Sequence, residues 1–282
     1  MTDDTPTETP TGTKENKPTV EYASDKYTTE ERLRQMQEIE EEIKRRPLVG
    51  LKEGSFSSLK EELKGTPPFT RKIPHLETKY STIRRIRGDG NCFYRGFLFR
   101  LVEILVFQKG RGETSEFNRV KKKFDDAMGY LTEVRYNQNS IEMFVEFAVE
   151  YFQNFPRSLS EVENFFNNPQ EAMFLVWFCR LLCGGYIKHH WEERFQWFVE
   201  ESKHYIDADD FCAREVEPSD MECEEIQVIA LCEYLGVRIC VEYLGADLNS
   251  DTTVTHYFGP EDKEAEICLL YRPGHYDVIY KK

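Results

Sequence analysis

Apolar residues recur at helical spacing through most of the chain and at strand spacing near its end. Residues 117–136 and 140–154 alternate apolar and charged positions with the helical period. The stretch from Asn168 to Cys183 is apolar almost all round, which predicts a core helix that the glycine pair 184–185 stops. Runs typical of strands follow at 237–244, 253–258, 266–271 and 276–280. The pattern therefore predicts an α+β fold, mostly helical first and then with a small sheet.

Two shorter segments complete the prediction for the folded part of the chain. Ser219 is predicted to cap a helix that runs through Leu235, and Gly236 is predicted to end this helix. Residues 81–87 form an extended run that leads into a turn containing two glycines. This extended run ends directly before a candidate catalytic segment, 88–92.

The N-terminal part of the chain has a different composition. Residues 1–24 are rich in Thr, Pro, Asp, Glu and Lys and have almost no large apolar residues, which predicts a disordered tail. A capping box at 28–31 then introduces a charged helical arm within 25–46. One narrow apolar stripe on this arm consists of Leu33, Met36, Ile39 and Ile43. The stripe is compatible with packing on the following domain, 47–282, and equally with docking into a partner's groove.

Charge narrows the classes of partner. The 282 residues carry a formal net charge of −14, which argues against nucleic acid and anionic membranes as main partners. The sequence shows no signal peptide and no apolar run long enough to cross a bilayer. We therefore expect no membrane partner and a location in the cytoplasm, with the nucleus as an additional compartment.

Cysteine usage does not indicate a disulfide framework. Most of the eight cysteines lie in apolar runs, as buried thiols do in a reducing compartment. Cys179 and Cys183 are one helical turn apart and are followed by His189 and His190. These four side chains could together bind zinc. However, their segment has the pattern of a core helix, whereas structural zinc sites cluster four ligands on turns. We expect neither a metal nor another cofactor.

One stretch joins a glycine turn to a cysteine and a helix. Gly88-Asp89-Gly90-Asn91 leads directly into Cys92, after which apolar residues recur at helical spacing. Asp89 and Asn91 are predicted to cap a helix that begins at or near Cys92. The unpaired N–H groups and the positive end of the helix dipole favour a thiolate and offer donors to an oxyanion.

A candidate base lies near the other end of the chain. His275 follows the turn signal Pro273-Gly274 and opens a short alternating run typical of a strand. Residues two apart on a strand project from the same face, so Asp277 is placed to orient the imidazole. A cysteine, a histidine and an orienting acid together predict nucleophilic catalysis. A different polar orienter remains an alternative, and so does a purely capping role for Asp89.

The motifs GDGNCFYRGF and YRPGHYDVIY together resemble the otubain branch of the OTU (ovarian-tumour) cysteine deubiquitinases. The resemblance extends over residues 45–282 and implies a papain-like OTU fold, mostly helical with a small mixed β-sheet near the C-terminus. It implies that Cys92 is the nucleophile, that His275 is the base and that Asp277 orients this base. It also implies that Asp89 supports the oxyanion site and that 47–282 is the catalytic domain.

The same resemblance implies a function. The chain would be a cysteine isopeptidase that cleaves between the C-terminal glycine of ubiquitin and lysine, with a preference for 48-linked polyubiquitin. The arm residues Leu33, Met36, Ile39 and Ile43 would then bind the second ubiquitin of a chain, and a ubiquitin-conjugating enzyme is a further partner. One alternative is a non-catalytic module that binds ubiquitin or this enzyme through the arm. A general papain-like peptidase fits the Cys/His pair, but not the order of elements or the D-G-N-C turn.

Overall fold

The computed structural model describes residues 29–199, 205–245 and 247–282. The predicted disordered tail, 1–24, lies outside these residues. The chain divides into two units with a boundary between Glu41 and Glu42. Helix α1 covers Thr29–Arg45, and the strands and later helices all belong to the second unit.

Helices make up most of the second unit. They are α2 Ser57–Glu62, α3 Pro67–Thr70, α4 Ile73–Lys79, α5 Cys92–Gly110, α6 Ser115–Asp125, α7 Ala127–Glu133, α8 Gln138–Gln153, α9 Leu159–Phe166, α10 Pro169–His189, α11 Gln196–Val199, α12 Ala208–Phe211 and α13 Glu225–Leu235. Two π-helical turns are also present: Trp191–Phe195 follows α10, and Cys212–Val216 follows α12. Helices α5 and α10 are buried on nearly all sides because their sequences are apolar almost all round.

The strands form one mixed sheet within the described residues. They are β1 Val49–Glu53, β2 Tyr80–Ile86, β3 Ile239–Tyr243, β4 Val254–Phe258, β5 Ile267–Arg272 and β6 His275–Lys281. Their order is β1-β2-β6-β5-β3-β4, and all neighbours are antiparallel except the parallel pair β3 and β5. The predicted α+β class, with a mixed sheet whose strands are mostly C-terminal, is confirmed. The pattern did not predict β1.

The two faces of the sheet bury different clusters. Val278 of β6 belongs to the large core that contains α5 and α10, whereas its neighbour Ile279 belongs to a smaller core with α2 and α4. This alternation is the normal strand period of two. His275 and Asp277 share the face of Ile279, at the end of β6 that begins after the β5–β6 turn. The face is covered there by α2 and its neighbours.

The prediction that the glycine pair stops α10 is wrong. The helix continues through Gly184 and Gly185 to His189. A Cβ on Gly184 would lie 2.2 Å from the hydroxyl oxygen of Tyr136, and one on Gly185 would lie 2.8 Å from Leu131. The glycines therefore allow close packing of α10 against α7 and the segment that follows it, and this requirement outweighs their low helix propensity.

The prediction that Ser219 caps a helix is also wrong. Helix α13 begins at Glu225, and Glu224 and Gln227 form its capping box. Residues 217–224 are instead a loop without regular structure, in which Asp220 has a φ of 70°. The predicted end is confirmed, because Gly236 closes α13 in the left-handed conformation with a φ of 59°. The unpredicted loop lies beside the candidate site.

Candidate active site

The structure brings the two sequence motifs together. Cys92 is the first residue of α5, and His275 is the first residue of β6. The backbone N–H of Tyr276 donates to Sγ of Cys92 at 3.4 Å. Cys92 is 4% exposed and His275 is 9% exposed, so both side chains are shielded from bulk water. This arrangement places a cysteine at a helix N-terminus beside a histidine.

Asp277 holds the histidine ring. Its Oδ1 lies 2.9 Å from Nε2 of His275 and accepts the backbone N–H of Ile86, also at 2.9 Å. Its Oδ2 lies 3.1 Å from Nε of Arg85 and 3.7 Å from Arg272. The carboxylate is fully buried, so these contacts determine both its orientation and its charge. The geometry is that of an orienting acid.

The charges of Asp277 and His275 depend on the groups that contact them. Burial alone would raise the pKa of Asp277, but His275, Arg85 and Arg272 lower it to about 2. Burial alone would lower the pKa of His275, but Asp277 and then Cys92 raise it to about 9. Asp277 is therefore an anion and His275 a cation at neutral pH. The charged imidazole lies next to the side chain of Cys92.

A second layer of charges supports Asp277. Glu62 of α2 forms ion pairs with both Arg85 and Arg272. Burial acts to raise the pKa of Glu62, but the two arginines lower it overall. Sequence reasoning missed all three residues. The available signal was chemical, because a buried acid such as Asp277 requires cationic partners.

The turn before Cys92 is held from both sides. Gly90 has a φ of 77°, and a Cβ at this position would lie 2.2 Å from the carbonyl oxygen of Asp220. Arg95 donates to both carboxylate oxygens of Asp89, at 2.9 and 2.8 Å. Oδ1 of Asp89 also accepts the backbone N–H of Asn91 at 3.1 Å. The turn is thus specified by a glycine and a bidentate ion pair.

The prediction that Asp89 and Asn91 cap α5 requires correction. Asn91 occupies the N-cap position, but its side chain makes no capping hydrogen bond. The Asp89 carboxylate is bound by Arg95, and the Asn91 side-chain oxygen is bound by Arg180. Both acceptors are therefore already occupied by guanidinium groups. The oxyanion-supporting role of Asp89 stays a prediction.

The first turn of α5 offers hydrogen-bond donors near the sulfur. The earliest backbone bond of this helix runs from the N–H of Arg95 to the carbonyl of Asn91 at 3.0 Å. The N–H groups of Cys92, Phe93 and Tyr94 precede it, and such positions have no partner inside a helix. Donors of this kind stabilise an oxyanion formed at a neighbouring carbonyl carbon.

A cavity of about 290 Å³ opens beside Cys92. Aromatic rings and carboxylates line it: Tyr243, Tyr271, Tyr276, Glu222, Glu224 and Glu225. Gly274 also borders the cavity, where a Cβ would lie 2.8 Å from Oε1 of Glu222. An acidic cavity of this kind suits a cationic segment of a substrate.

The apolar stripe lies on α1. Leu33, Met36 and Ile39 are 55%, 59% and 58% exposed, and Ile43 is half-buried. The predicted ubiquitin-binding role of these four residues stays a prediction. Among the residues that the structure describes, no cluster of three or more His, Cys, Asp or Glu side chains is arranged to hold a metal ion. The described helices include none that is long and apolar enough to span a membrane.

Cys92, His275 and Asp277 together form the arrangement found in cysteine peptidases. A family model described as Peptidase C65 Otubain matches residues 41–281. The chain belongs to this otubain family, which confirms the resemblance seen in the sequence.

Relatives match along most of the chain. It is 34% identical over 283 residues to a Caenorhabditis briggsae protein named ubiquitin thioesterase otubain-like, covering 95% of this chain and 94% of that one. It is 33% identical over 252 residues to Homo sapiens ubiquitin thioesterase OTUB1, covering 88% and 89%. A similar chain occurs in a solved complex of h/ceOTUB1 with ubiquitin aldehyde and UBC13~Ub. It has a TM-score of 0.76 at 28% identity, and the match covers 90% of this chain and 98% of that one.

Proposed function

We propose that this chain is a thiol-dependent deubiquitinase that hydrolyses the isopeptide bond between the C-terminal glycine of ubiquitin and a lysine side chain. The contact of Cys92 with the His275–Asp277 strand, in a chain of the otubain family, carries this proposal. Relatives named ubiquitin thioesterase support the choice of ubiquitin as substrate. A tail that ends in two glycines would fit the cavity of about 290 Å³ beside Cys92.

The mechanism follows from the positions of three side chains. The Cys92 thiolate attacks the carbonyl carbon of the terminal glycine, and the first-turn N–H groups of α5 stabilise the oxyanion. The His275 cation donates its proton to the leaving lysine amine, then accepts a proton from the water that hydrolyses the thioester. Asp277 keeps the imidazole oriented and stabilises its charged form through both steps.

The second candidate function is binding of a partner through the arm, in addition to cleavage. More than half of each of Leu33, Met36 and Ile39 is exposed, which leaves the stripe accessible to a partner. The solved complexes of similar chains contain UBC13~Ub or UBCH5B~Ub. We infer that the arm binds the second ubiquitin of a chain, and that it also docks a ubiquitin-conjugating enzyme. This activity would accompany cleavage.

We further infer a preference for 48-linked chains and a location in the cytoplasm, with the nucleus in addition. The linkage preference is supported by the family resemblance alone. The location is supported by eight free cysteines, all buried, which suit a reducing compartment.

A panel of differently linked di-ubiquitins tests this proposal. The wild-type chain should release mono-ubiquitin fastest from the 48-linked dimer, whereas Cys92→Ala should release none, because it lacks the nucleophile. Gel densitometry over time measures the rates. Equal rates on all linkages would remove the preference and keep the activity. Release by Cys92→Ala equal to wild type would contradict the proposed mechanism.

Deleting residues 1–46 tests the arm. If the arm binds the second ubiquitin, cleavage of di-ubiquitin should fall, while ubiquitin with a small fluorogenic leaving group should be hydrolysed almost as before. Burial of each apolar side chain of the stripe is worth at most about 1.5–3 kcal/mol, so replacing Met36 and Ile39 by Ser should cost about tenfold or more.

A parallel melting-temperature measurement separates the two roles of the stripe. An arm that only stabilises the domain would give equal losses on both substrates together with a lower melting temperature. Replacement of Arg34 by Ser is a matched control, because Arg34 lies on the same helix outside the stripe and pairs with Glu38 at an exposed site. This replacement should leave both rates nearly unchanged.

A further inference from the structure

Arg180 is a buried cation that the mechanism above does not use. It lies on α10, and only 1% of the residue is exposed. Its Nη2 donates to Oδ1 of Asn91 at 2.7 Å, and its Nε donates to the same oxygen at 3.2 Å. It also donates to the backbone carbonyls of Gly90 at 3.2 Å, Val216 at 3.0 Å and Met221 at 2.8 Å. One guanidinium therefore joins the turn before Cys92 to the loop that borders the cavity.

All of these acceptors are neutral. Within the described parts of the chain, no carboxylate forms an ion pair with Arg180, and its guanidinium lies 4.5 Å from the centre of the Tyr94 ring. A buried charge without a counter-ion is costly, so its retention beside a reactive centre requires a reason. Burial raises the pKa of Cys223 well above its usual value, and the charge of Arg180 opposes that rise. The positive field thus reaches a residue that lines the same cavity as Cys92.

The position of Asn91 supplies the reason. An asparagine at the N-cap normally accepts an N–H from the first turn of its helix. Here its side-chain oxygen is bound twice by Arg180, and its amide donates to Asp220 at 3.2 Å and to the carbonyl of Asp89 at 3.3 Å. The side chain consequently makes no cap on α5. The first-turn N–H groups remain available to another acceptor.

We propose that Arg180 is a positioning residue for the oxyanion site. By holding the Asn91 oxygen and the Gly90 carbonyl, it keeps the helix uncapped, so that the first-turn N–H groups bind the substrate's oxyanion. During attack, a bond forms between Sγ of Cys92 and the carbonyl carbon, and the π electron pair of the carbonyl moves to its oxygen. No group leaves at this stage. This role rests on the deubiquitinase activity proposed above, and it adds a residue to that mechanism.

Arg180→Gln is the principal test variant. Its kcat on ubiquitin with a fluorogenic leaving group should fall about 100-fold, with KM changed less than about threefold, because the interaction forms only when the oxyanion does. Ubiquitin aldehyde, which forms a tetrahedral adduct with the thiol, should lose affinity in parallel with kcat. Unmodified ubiquitin should keep its affinity. Loss of affinity for both ligands to the same extent would overturn the assignment.

A second substitution makes the test specific to capping. In Arg180→Gln, the released Asn91 side chain caps α5, whereas in the double variant Arg180→Gln with Asn91→Ala no such cap can form. The double variant should therefore recover at least about tenfold in aldehyde affinity over Arg180→Gln. A double variant as weak as Arg180→Gln, or weaker, would contradict the proposal. If Arg180→Gln does not fold, Arg180→Lys replaces it, and its single ammonium should give a smaller loss of kcat with the same recovery.

Arg84 provides a matched control. It is also a buried arginine, 1% exposed and 4.7 Å from the centre of an aromatic ring, but it binds Gly50 and Glu163. Arg84→Gln should lower the melting temperature and leave kcat and aldehyde affinity within about twofold. Losses equal to those of Arg180→Gln would show that removal of any buried arginine has this effect, and would overturn the proposal.

Amide hydrogen exchange provides a readout that needs no substrate. The N–H groups of Phe93 and Tyr94 should exchange more slowly in Arg180→Gln than in wild type, because Asn91 now protects them. Unchanged or faster exchange would overturn the capping role, whatever the substrate is. Absence of ubiquitin hydrolysis by the wild-type chain would instead overturn the proposed function, while the exchange result would still decide the role of Arg180.

Discussion

Asp277→Asn should lower kcat on a ubiquitin substrate by about 10²–10⁴, with KM nearly unchanged. The amide keeps the size of the carboxylate but lacks the charge that raises the pKa of His275 to about 9. The imidazole then loses both its fixed orientation and its cationic form at neutral pH. The cavity walls are untouched, so binding should persist. Steady-state kinetics with ubiquitin carrying a fluorogenic leaving group measures both constants.

The pH profile separates the two effects of Asp277. In wild type, kcat/KM should fall on the alkaline side with an apparent pKa near 9, as His275 loses its proton. In Asp277→Asn this alkaline fall in kcat/KM should move to lower pH, because the carboxylate that raises the pKa of His275 is gone. If the alkaline fall in kcat/KM keeps its apparent pKa, another group titrates there or another residue orients His275.

Stability should depend on pH through the same pair. The pKa of His275 is raised above its ordinary value of 6.5, so its contribution to stability is full below pH 6.5 and disappears as pH rises through 9. The pKa of Asp277 is lowered from 3.8 to about 2, so its contribution is present above pH 3.8 and disappears as pH falls through 2. In Asp277→Asn the Asp277 contribution should be absent and the His275 contribution smaller, because only Cys92 is then left to raise the pKa of His275.

Glu242 offers a matched control for Asp277→Asn. It is another fully buried carboxylate, on β3, and it accepts hydrogen bonds from Tyr80 and Thr255, both at 2.8 Å. Burial acts to raise its pKa, but its hydrogen bonds lower the pKa overall. Glu242→Gln should reduce stability while leaving kcat within about twofold. A loss of kcat as large as that of Asp277→Asn would mean that the effect comes from disturbing the sheet.

Gly90→Ala should reduce kcat by about 100-fold or more. The added Cβ would lie 2.2 Å from the carbonyl oxygen of Asp220, and the φ of 77° is strained for any residue with a Cβ. The backbone must therefore move immediately before Cys92. A displacement of about 1 Å there separates the sulfur and the oxyanion donors from their working geometry. Kinetics and thermal melting on the same preparation measure the effect.

Gly129→Ala is the control for this substitution. Gly129 lies inside α7, has a negative φ and has nothing within 4 Å of an added Cβ. Alanine there should preserve activity and stabilise the helix by about 0.5–1 kcal/mol. Wild-type turnover by Gly90→Ala, together with a normal melting temperature, would show that the turn tolerates a side chain and that its conformation does not control catalysis.

Local patterns in the sequence were sufficient to place most of the helices and to identify Cys92 and His275 as candidate residues. Cys92 and His275 could be predicted because a glycine turn, a helix start and a strand start each leave a local signal in the sequence. The ends of elements were less predictable where tertiary contacts decide them. Gly184 and Gly185 have the residue type of a helix stop, yet they allow α10 to pass close to Tyr136 and Leu131. That requirement depends on residues distant in sequence.

The contacts of the residues around the site could not be predicted from local sequence patterns either. The pattern of the turn indicates Asp89 and Asn91 as caps, and the structure instead binds their side chains to Arg95 and Arg180. Arg180 is 89 positions from Asn91 along the chain, and no spacing rule joins them. The charges that surround Asp277 likewise come from separate elements. Sequence reasoning therefore identified the candidate residues Cys92, His275 and Asp277, which the structure brings together, but not the residues that surround them.

Mass spectrometry of a covalent adduct tests the central claim most directly. Ubiquitin carrying a C-terminal electrophile should modify Cys92, which lines the cavity next to His275. The other seven cysteines are buried, and of these Cys223 alone lines the same cavity. Burial raises the pKa of Cys223 well above its usual range, so we expect all seven to stay unmodified. Peptide mapping of the full chain should find a single adduct, on Cys92. An adduct on another cysteine with Cys92 untouched, or no adduct at all, would contradict the account.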